Sequence, residues 1–210
     1  MKRNLNPVTL KRLIFIAILT VVSLCVRAQD MVPAFTPTST QEMDRQLKSG
    51  FVQLEQINKL SEQVLKAKDL QSLVIIVSDS LRTISVSIGN LQKLRMLSIA
   101  NTSIKLLPKE IGNLKELVEL HLSVNYLTKV PKEIGNLTNL KKLDLSYMYL
   151  ADLPAEIGQL QLLEELNIYG NRQPNRAKTA GFIPPVNGLI LPQTIGGLKN
   201  LKKLNFSENA

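Results

Sequence analysis

The chain has 210 residues, enough for one extended domain and a short targeting segment. Hydrophobic residues form 44% of it and charged residues 20%, values typical of a chain that folds around a core and not of a disordered one. Aromatic residues are only 4% and Trp is absent, so aliphatic side chains must fill the interior, and the lone Cys excludes an internal disulfide.

The first 28 residues have the pattern of a secretory signal peptide. Four basic residues precede a mostly apolar run at 13–26, which is shorter than the roughly 20 residues that cross a bilayer. We expect cleavage after Ala28, which predicts a secreted, periplasmic or cell-surface protein that begins at Gln29. An uncleaved membrane anchor is the alternative, whereas a lipoprotein is disfavoured because Leu24 precedes Cys25 where a small residue is needed.

Cleavage would change the meaning of the net charge. It removes five positive charges and no acids, so the formal charge falls from +9 to +4. The positive balance is then mostly a targeting feature, and we expect neither a nucleic-acid partner nor a membrane span in the mature chain. The only cysteine is also removed, so stability must come from packing.

The segment between the signal and the repeats divides in two. Prolines and small polar residues predict a flexible leader at 29–38. A helical N-terminal cap is expected at 39–67, because Ser39 and Glu42 have capping-box spacing and an apolar stripe runs from Phe51 to Leu65, with Gly50 as a point of interruption. We interpret the stripe as a cover for the first repeat, and a short coiled coil is the alternative.

A 23-residue period governs residues 68–210. Leu91, Leu114, Leu137 and Leu160 are equivalent, and the units between them end in near-identical Pro-x-x-Ile-Gly phrases. One such unit cannot bury its own apolar side, so the units must stack into a solenoid. An insertion within 172–190 interrupts the array and predicts a surface loop.

The last repeat is incomplete at Ala210. The chain is therefore either a recognition module whose end is shielded by a partner, or a fragment of a larger effector, receptor or enzyme whose further domain lies beyond residue 210.

The pattern LxxLxLxxNxLxxLPxxIGxL resembles the leucine-rich repeat family, specifically the 23-residue units of Ras-suppressor-like proteins, and we expect it to belong to an exported bacterial protein. The resemblance implies an α/β fold: a right-handed solenoid of about six units with a parallel sheet on its concave side, preceded by a capping helix. It also implies protein recognition as the usual activity. The family's turn asparagine is present at Asn125, Asn171 and Asn209, and is replaced by Asp79, Thr102 and Met148.

Equivalent side chains form columns across the exposed face of such a sheet, because successive residues of a strand alternate between its two faces. One expected column is Leu73, Met96, Glu119, Lys142, Glu165 and Lys203, and the next is Ile75, Ser98, His121, Asp144, Asn167 and Asn205. Alternating signs predict cross-strand ion pairs, and His121 is expected beside Asp144. Leu73, Ile75, Val77 and Met96 would form an apolar patch, either covered by the capping helix or free for docking.

The candidate partner-binding site lies on three consecutive repeats. Tyr147 and Tyr169 are its expected aromatic anchors, since tyrosine is enriched at binding hot spots, and Tyr126 and Tyr149 could extend the patch. The inserted loop, with Arg172, Arg176 and Lys178, either clamps a ligand or is idle. The predicted site residues are Glu119, His121, Lys142, Asp144, Tyr147, Glu165 and Tyr169.

Other chemistry is not indicated. The sequence has no Gly-rich phosphate loop, no HExxH and no cysteine–histidine cluster, so we expect no catalytic residue, no metal and no cofactor. His121 and Asp144 lack an evident nucleophile. The sequence therefore predicts an exported, non-enzymatic module that binds protein, with glycan as the other ligand considered, through its concave face.

Overall fold

A computed structural model describes residues 40–171 and 188–209; the predicted signal peptide, the leader and most of the insertion lie outside them. The described chain forms a seven-stranded parallel sheet whose strands lie side by side in chain order. The strands are β1 Phe51–Glu55, β2 Ser72–Ser78, β3 Met96–Thr102, β4 Glu119–His121, β5 Lys142–Asp144, β6 Glu165–Asn167 and β7 Lys203–Asn205.

Helical segments occupy the side of each unit opposite the sheet. Two α-helices, α1 Thr40–Ser49 and α2 Glu62–Leu65, belong to the first part of the chain. Five 3-10 helices follow, η1 Val86–Asn90, η2 Lys109–Asn113, η3 Lys132–Asn136, η4 Ala155–Gln159 and η5 Gln193–Gly197. A proline precedes each one except η1, where Ser85 accepts a hydrogen bond from the Ser87 amide.

The expected long capping helix is wrong from Phe51 onward. Residues Phe51–Glu55 form a strand that pairs with β2, because Val52 and Leu54 alternate into the core while their neighbours remain partly exposed. The three- and four-residue spacing of apolar residues predicts one helical stripe from Phe51 to Leu65. Within that segment only α2 is helical. The sheet therefore has one strand more than the six repeats expected.

Helix α1 covers the outer edge of this added strand. Met43 and Leu47 pack against the hydrophobic core, and the buried Gln46 accepts a hydrogen bond from the Gln53 amide at 3.2 Å. An edge strand otherwise leaves its backbone groups unpaired. The helix thus satisfies one of those groups while it closes the apolar end of the array.

The register of the second strand also differs from the expectation. Ser72 pairs with Met96 and Val74 with Ser98, so these residues, not Leu73 and Ile75, continue the columns of the sheet face, although Val74 is itself only 1% exposed. Leu73 and Ile75 are both 0% exposed and belong to the core. The expected apolar patch around them does not exist. The cause is one extra residue in the turn after β2, where three residue steps join Ser78 to Leu81 and two join Thr102 to Ile104.

Stacked leucines and isoleucines form one continuous core, including the four leucines that define the period. Buried asparagines connect successive turns: Asn125 donates to the Ile99 and Leu122 carbonyls at 2.8 and 2.7 Å and accepts from the Thr102 hydroxyl at 2.6 Å. At the first turn this position is Ser78, not Asp79 as expected, because of the same one-residue shift. Ser78 donates to the Ile76 carbonyl.

Candidate recognition surface on the sheet face

The candidate residues lie on the sheet face that points away from the core, which is the concave face of this type of solenoid. Three paired strands align Glu119 with Lys142 and Lys142 with Glu165, and they align His121 with Asp144. The columns expected from the 23-residue period are therefore present on β4, β5 and β6. The alignment shows which residues are neighbours, and the side-chain contacts show which of these neighbours interact.

Glu119 is the centre of a charged cluster on this face. Its carboxylate lies 3.2 Å from the His121 Nε2 and 3.1 Å from the Lys142 Nζ, and only 9% of the residue is exposed. The hydrogen bond from His121, together with the hydrogen bond and charge of Lys142, lowers the pKa of Glu119 to about 2 against the opposing effect of burial. The cluster is thus a preformed ion pair between neighbouring strands.

Asp144 has a different role from the one that its position beside His121 indicated. Its Oδ1 accepts hydrogen bonds from the Ser146 amide and hydroxyl at 2.9 and 2.6 Å, which fixes the end of β5. The imidazole of His121 contacts Glu119 instead. No serine, threonine or cysteine among the described residues is hydrogen-bonded to His121, so its surroundings offer no activated nucleophile.

Tyr147 and Tyr169 form an aromatic pair on adjoining units. Their ring centroids are 5.1 Å apart at an interplanar angle of 69°, an edge-to-face contact, and the Tyr147 amide donates to the Tyr169 carbonyl at 2.8 Å. Both side chains are partly exposed. Burial raises the pKa of Tyr147, and the adjacent Tyr169 and the negative charges of Asp144 and Glu208 raise it further.

The second tyrosine pair does not extend this surface as expected. Tyr126 and Tyr149 stack with centroids 5.7 Å apart and an interplanar angle of 13°, but Tyr149 is 0% exposed. Tyr149 therefore belongs to the core of the turn and cannot contact a partner. Only Tyr126 of this pair is partly exposed.

A second charged column, one residue before the first, was not predicted from the sequence. Glu164 lies 3.6 Å from Lys141 on one side and 2.6 Å from Lys202 on the other, and the hydrogen bond and charge of Lys202 lower its pKa. The same 23-residue step that aligned Glu119 with Lys142 also aligns Lys141 with Glu164, so the signal was available one residue earlier. In the first column, Lys203 pairs with Glu165 at 2.8 Å.

Two of the predicted features fall on residues that the structure does not describe. Arg172, Arg176 and Lys178 are outside the described residues, and so is the predicted cleavage site. Within residues 40–171 and 188–209, no group of three or more His, Cys, Asp or Glu side chains is arranged to hold a metal. In the same part of the chain, no helix is both long and apolar enough to cross a membrane.

An open parallel sheet, stacked leucine units and an asparagine-linked turn define a repeat solenoid with an accessible sheet face. The chain belongs to the leucine-rich repeat family, since the family model described as a leucine-rich repeat region matches residues 46–210. The resemblance to the leucine-rich repeat family and the solenoid fold are thereby confirmed. Proteins of this family and fold are commonly protein-binding modules.

Solved structures include similar folds. The leucine-rich repeat ectodomain of the receptor kinase SOBIR1 from Arabidopsis thaliana is 27% identical with a TM-score of 0.51, over 67% of this chain and 71% of that one. The plant peptide hormone receptor RGFR1, solved in complex with RGF2, is 22% identical with a TM-score of 0.50, over 75% of this chain and 31% of that one. A leucine-rich repeat protein of Leptospira interrogans is 26% identical with a TM-score of 0.41, over 80% and 58% respectively. No curated protein sequence matches the chain.

Proposed function

We propose that the chain is an exported, non-enzymatic recognition module that binds a protein through its concave sheet face, with glycan as the other ligand class to be tested. The observation that carries the proposal is the pair Tyr147 and Tyr169, which stand in contact on adjoining rigid units and remain partly exposed. Tyrosine offers a partner a large rigid apolar surface and a hydroxyl at low entropic cost. The family's usual activity as a protein-binding module supports the same function.

The charged cluster on the same face would set the orientation of the partner. Glu119 and Lys142 are already paired, so a ligand need not order them, and Glu165 is held by Lys203. Paired charges at the rim of an interface contribute specificity and association rate more than affinity. We therefore assign the main part of the binding energy to Tyr147 and Tyr169, and the choice of partner to the charges.

Affinity capture with purified chain from extracellular extract, followed by titration of the purified captured protein, tests this assignment. Tyr147→Ala and Tyr169→Ala should each weaken binding by about 1–3 kcal/mol, as hot-spot truncations do. Lys142→Ala should weaken it less, and mainly at low ionic strength. Tyr126→Ala, which removes a partly exposed tyrosine outside the proposed site, is the control, and its circular dichroism spectrum must be intact because the Tyr126 ring stacks on the buried Tyr149.

Unchanged affinity in the Tyr147→Ala/Tyr169→Ala double variant, with its circular dichroism spectrum intact, would remove the site from this face. The same titrations with immobilised oligosaccharides test the second ligand class. A glycan that uses the tyrosine pair would compete with the captured protein for it.

Export is tested independently of binding. The basic start and apolar run before Ala28 support it, and the similarity to a receptor ectodomain agrees with it. N-terminal sequencing of the protein recovered from outside the cytoplasm should return Gln29. Recovery of Met1 in the membrane fraction would instead establish an uncleaved anchor.

A further inference from the structure

A second surface, on the edge where the chain leaves the sheet, has an unusual composition. The units that contain β2, β3 and β4 each send exposed residues to this edge, in the turn after the strand and at the first position of η1, η2 and η3. We call it the basic edge. Its members are Arg82, Val86, Lys105, Leu106, Lys109, Lys129 and Lys132.

Stacking of the units brings these residues together. The Ser103 amide bonds to the Leu81 carbonyl and the Tyr126 amide to the Ile104 carbonyl, both at 3.0 Å, so the turns stack in register. The 3-10 helices η2 and η3 are also in close contact, since a Cβ on Gly112 would lie 2.6 Å from the Glu133 carbonyl oxygen. Equivalent positions on adjacent units are therefore direct neighbours, which makes the basic edge one continuous surface.

The cations of the basic edge differ from those of the sheet face. Lys142 and Lys203 on the sheet face, and Lys141 and Lys202 immediately before β5 and β7, are each paired with a glutamate. Within the described residues, none of the five basic side chains of the edge has an ion pair or a hydrogen bond, and all five are exposed. The neighbouring carboxylates are fewer: Glu110 and Glu133 are half-buried and follow Lys109 and Lys132, Asp79 precedes Arg82 in the turn after β2, and the exposed Asp152 occupies the position equivalent to Lys129 on the next unit.

Two large aliphatic side chains stand among these cations. Leu106 is 70% exposed and Val86 is 61% exposed, although the equivalent positions on the next unit are Lys129 and Lys109. A soluble polyanion would gain from the lysines and nothing from these side chains. The interface of an anionic bilayer would gain from both, since phosphate groups attract the cations while exposed aliphatics enter the headgroup region.

We propose that the basic edge binds the surface of an anionic lipid bilayer, with Leu106 and Val86 in the headgroup region and the lysines at the lipid phosphates. Tyr147 and Tyr169 belong to the later units of β5 and β6, whereas the basic edge belongs to those of β2, β3 and β4, so the later units can hold a protein partner while the module lies on a membrane. This peripheral contact needs no membrane-spanning helix and is independent of the function proposed for the sheet face.

The test places an environment-sensitive fluorophore at Leu106→Cys in the full chain with Cys25→Ser. With vesicles that contain phosphatidylglycerol, we expect a blue shift and higher emission, and no such change with phosphatidylcholine alone. The same label at Gln92→Cys, on the opposite edge of the same unit, should remain unchanged. The site-resolved signal matters because the apolar segment at 13–26 can attach the full chain to vesicles by itself, which would not place position 106 in the headgroups.

Charge variants complete the test. Lys105→Gln/Lys109→Gln/Lys129→Gln should reduce the vesicle affinity reported at position 106 by about 100-fold, at roughly fivefold for each cation. The triple control Lys68→Gln/Lys115→Gln/Lys199→Gln removes the same charge from the edge where the chain enters the sheet and should change it far less. An unchanged label at 106, an equal response at 92, or an equal loss in both triple variants overturns the proposal. Stoichiometric binding of heparin, with no spectral shift on vesicles, would identify a polyanion site instead and would also overturn the proposal.

Discussion

Gly112 lies directly against Glu133 of the next unit: a Cβ on Gly112 would come within 2.6 Å of the Glu133 carbonyl oxygen and 2.8 Å of its Cβ. Both are shorter than any ordinary contact to a Cβ. The contact recurs along the array: a Cβ on Gly89 would lie 2.8 Å from the Glu110 carbonyl oxygen, and one on Gly135 would lie 2.6 Å from that of Glu156. The glycine of the Ile-Gly phrase in η1, η2 and η3 is therefore what allows consecutive 3-10 helices to stack.

We expect Gly112→Ala to destabilise the fold by about 1–3 kcal/mol, because the clash is with backbone, which cannot rotate away. Urea unfolding followed by circular dichroism measures the change. Gly196→Ala is the matched control, since it occupies the same position of η5 and a Cβ there meets nothing within 4 Å. That variant should lie within about 0.5 kcal/mol of the unchanged chain. Equal effects at both positions would show that close stacking against the next unit is not what selects glycine.

Asn125 should be among the most sensitive polar positions. Its amide nitrogen donates hydrogen bonds to the buried Ile99 and Leu122 carbonyls, and its amide oxygen accepts a hydrogen bond from the Thr102 hydroxyl. Asn125→Ala leaves these groups without partners, and each buried unsatisfied group costs roughly 1–3 kcal/mol, so we expect a loss of about 2–4 kcal/mol in total. The exposed Asn139, which donates to the Lys115 carbonyl, is the comparison: Asn139→Ala should cost less than about 1 kcal/mol. Similar losses in the two variants would contradict a special role for the buried asparagine.

The sequence predicted the regular part of the sheet well. From β3 to β6 the 23-residue step is unbroken, so Met96, Glu119, Lys142 and Glu165 fall in one column as expected. Such prediction succeeds because every unit buries the same leucine positions. A shift of the strand register by one residue would turn all of these leucines outward. The same logic predicted that the interrupted repeat resumes in register at Lys203.

The first part of the array could not be predicted from the period, because its changes are local. One extra residue before Leu81 shifts β2, which exchanges Leu73 with Ser72 on the exposed face. The segment FVQLE fits both a helical stripe and a strand, and only pairing with β2 decides between them. The 23-residue step aligns Tyr126 with Tyr149, but it does not predict that Tyr149 is fully buried while Tyr126 stays partly exposed.

Folding stability should depend on the ionisation of Glu119. Its folded-state pKa of about 2 lies below the ordinary value of about 4.3, so the folded state binds the proton less readily than the unfolded state. The stabilisation is complete above about pH 5 and is lost as the pH falls toward 2, and it amounts to about 2–3 kcal/mol in order of magnitude. Urea titrations between pH 6 and 2.5 measure it.

Glu119→Gln should remove this part of the pH dependence, because the variant keeps the shape of the side chain and has no proton to gain. Glu116→Gln, an exposed position beside the same strand, controls for the loss of one negative charge. A Glu119→Gln variant that retains the slope of stability between pH 5 and 3 would show that other carboxylates carry the acid sensitivity.

The alkaline titration of Tyr147 reports directly on the aromatic pair. The chain has four tyrosines and no tryptophan, so absorbance near 295 nm follows tyrosinate alone, and the difference between the unchanged chain and Tyr147→Phe isolates one group. We expect a midpoint above 10, because burial, Tyr169 and the charges of Asp144 and Glu208 all disfavour the tyrosinate. Since the folded pKa is raised, the associated stability is present below pH 10 and is lost as the pH rises through the folded value. Tyr169→Phe should move the midpoint back toward 10 without reaching it, as burial persists, whereas Tyr126→Phe should leave it unchanged. A midpoint at or below 10 in the unchanged chain would mean that the two rings do not share the partly buried arrangement on which the proposed binding site depends.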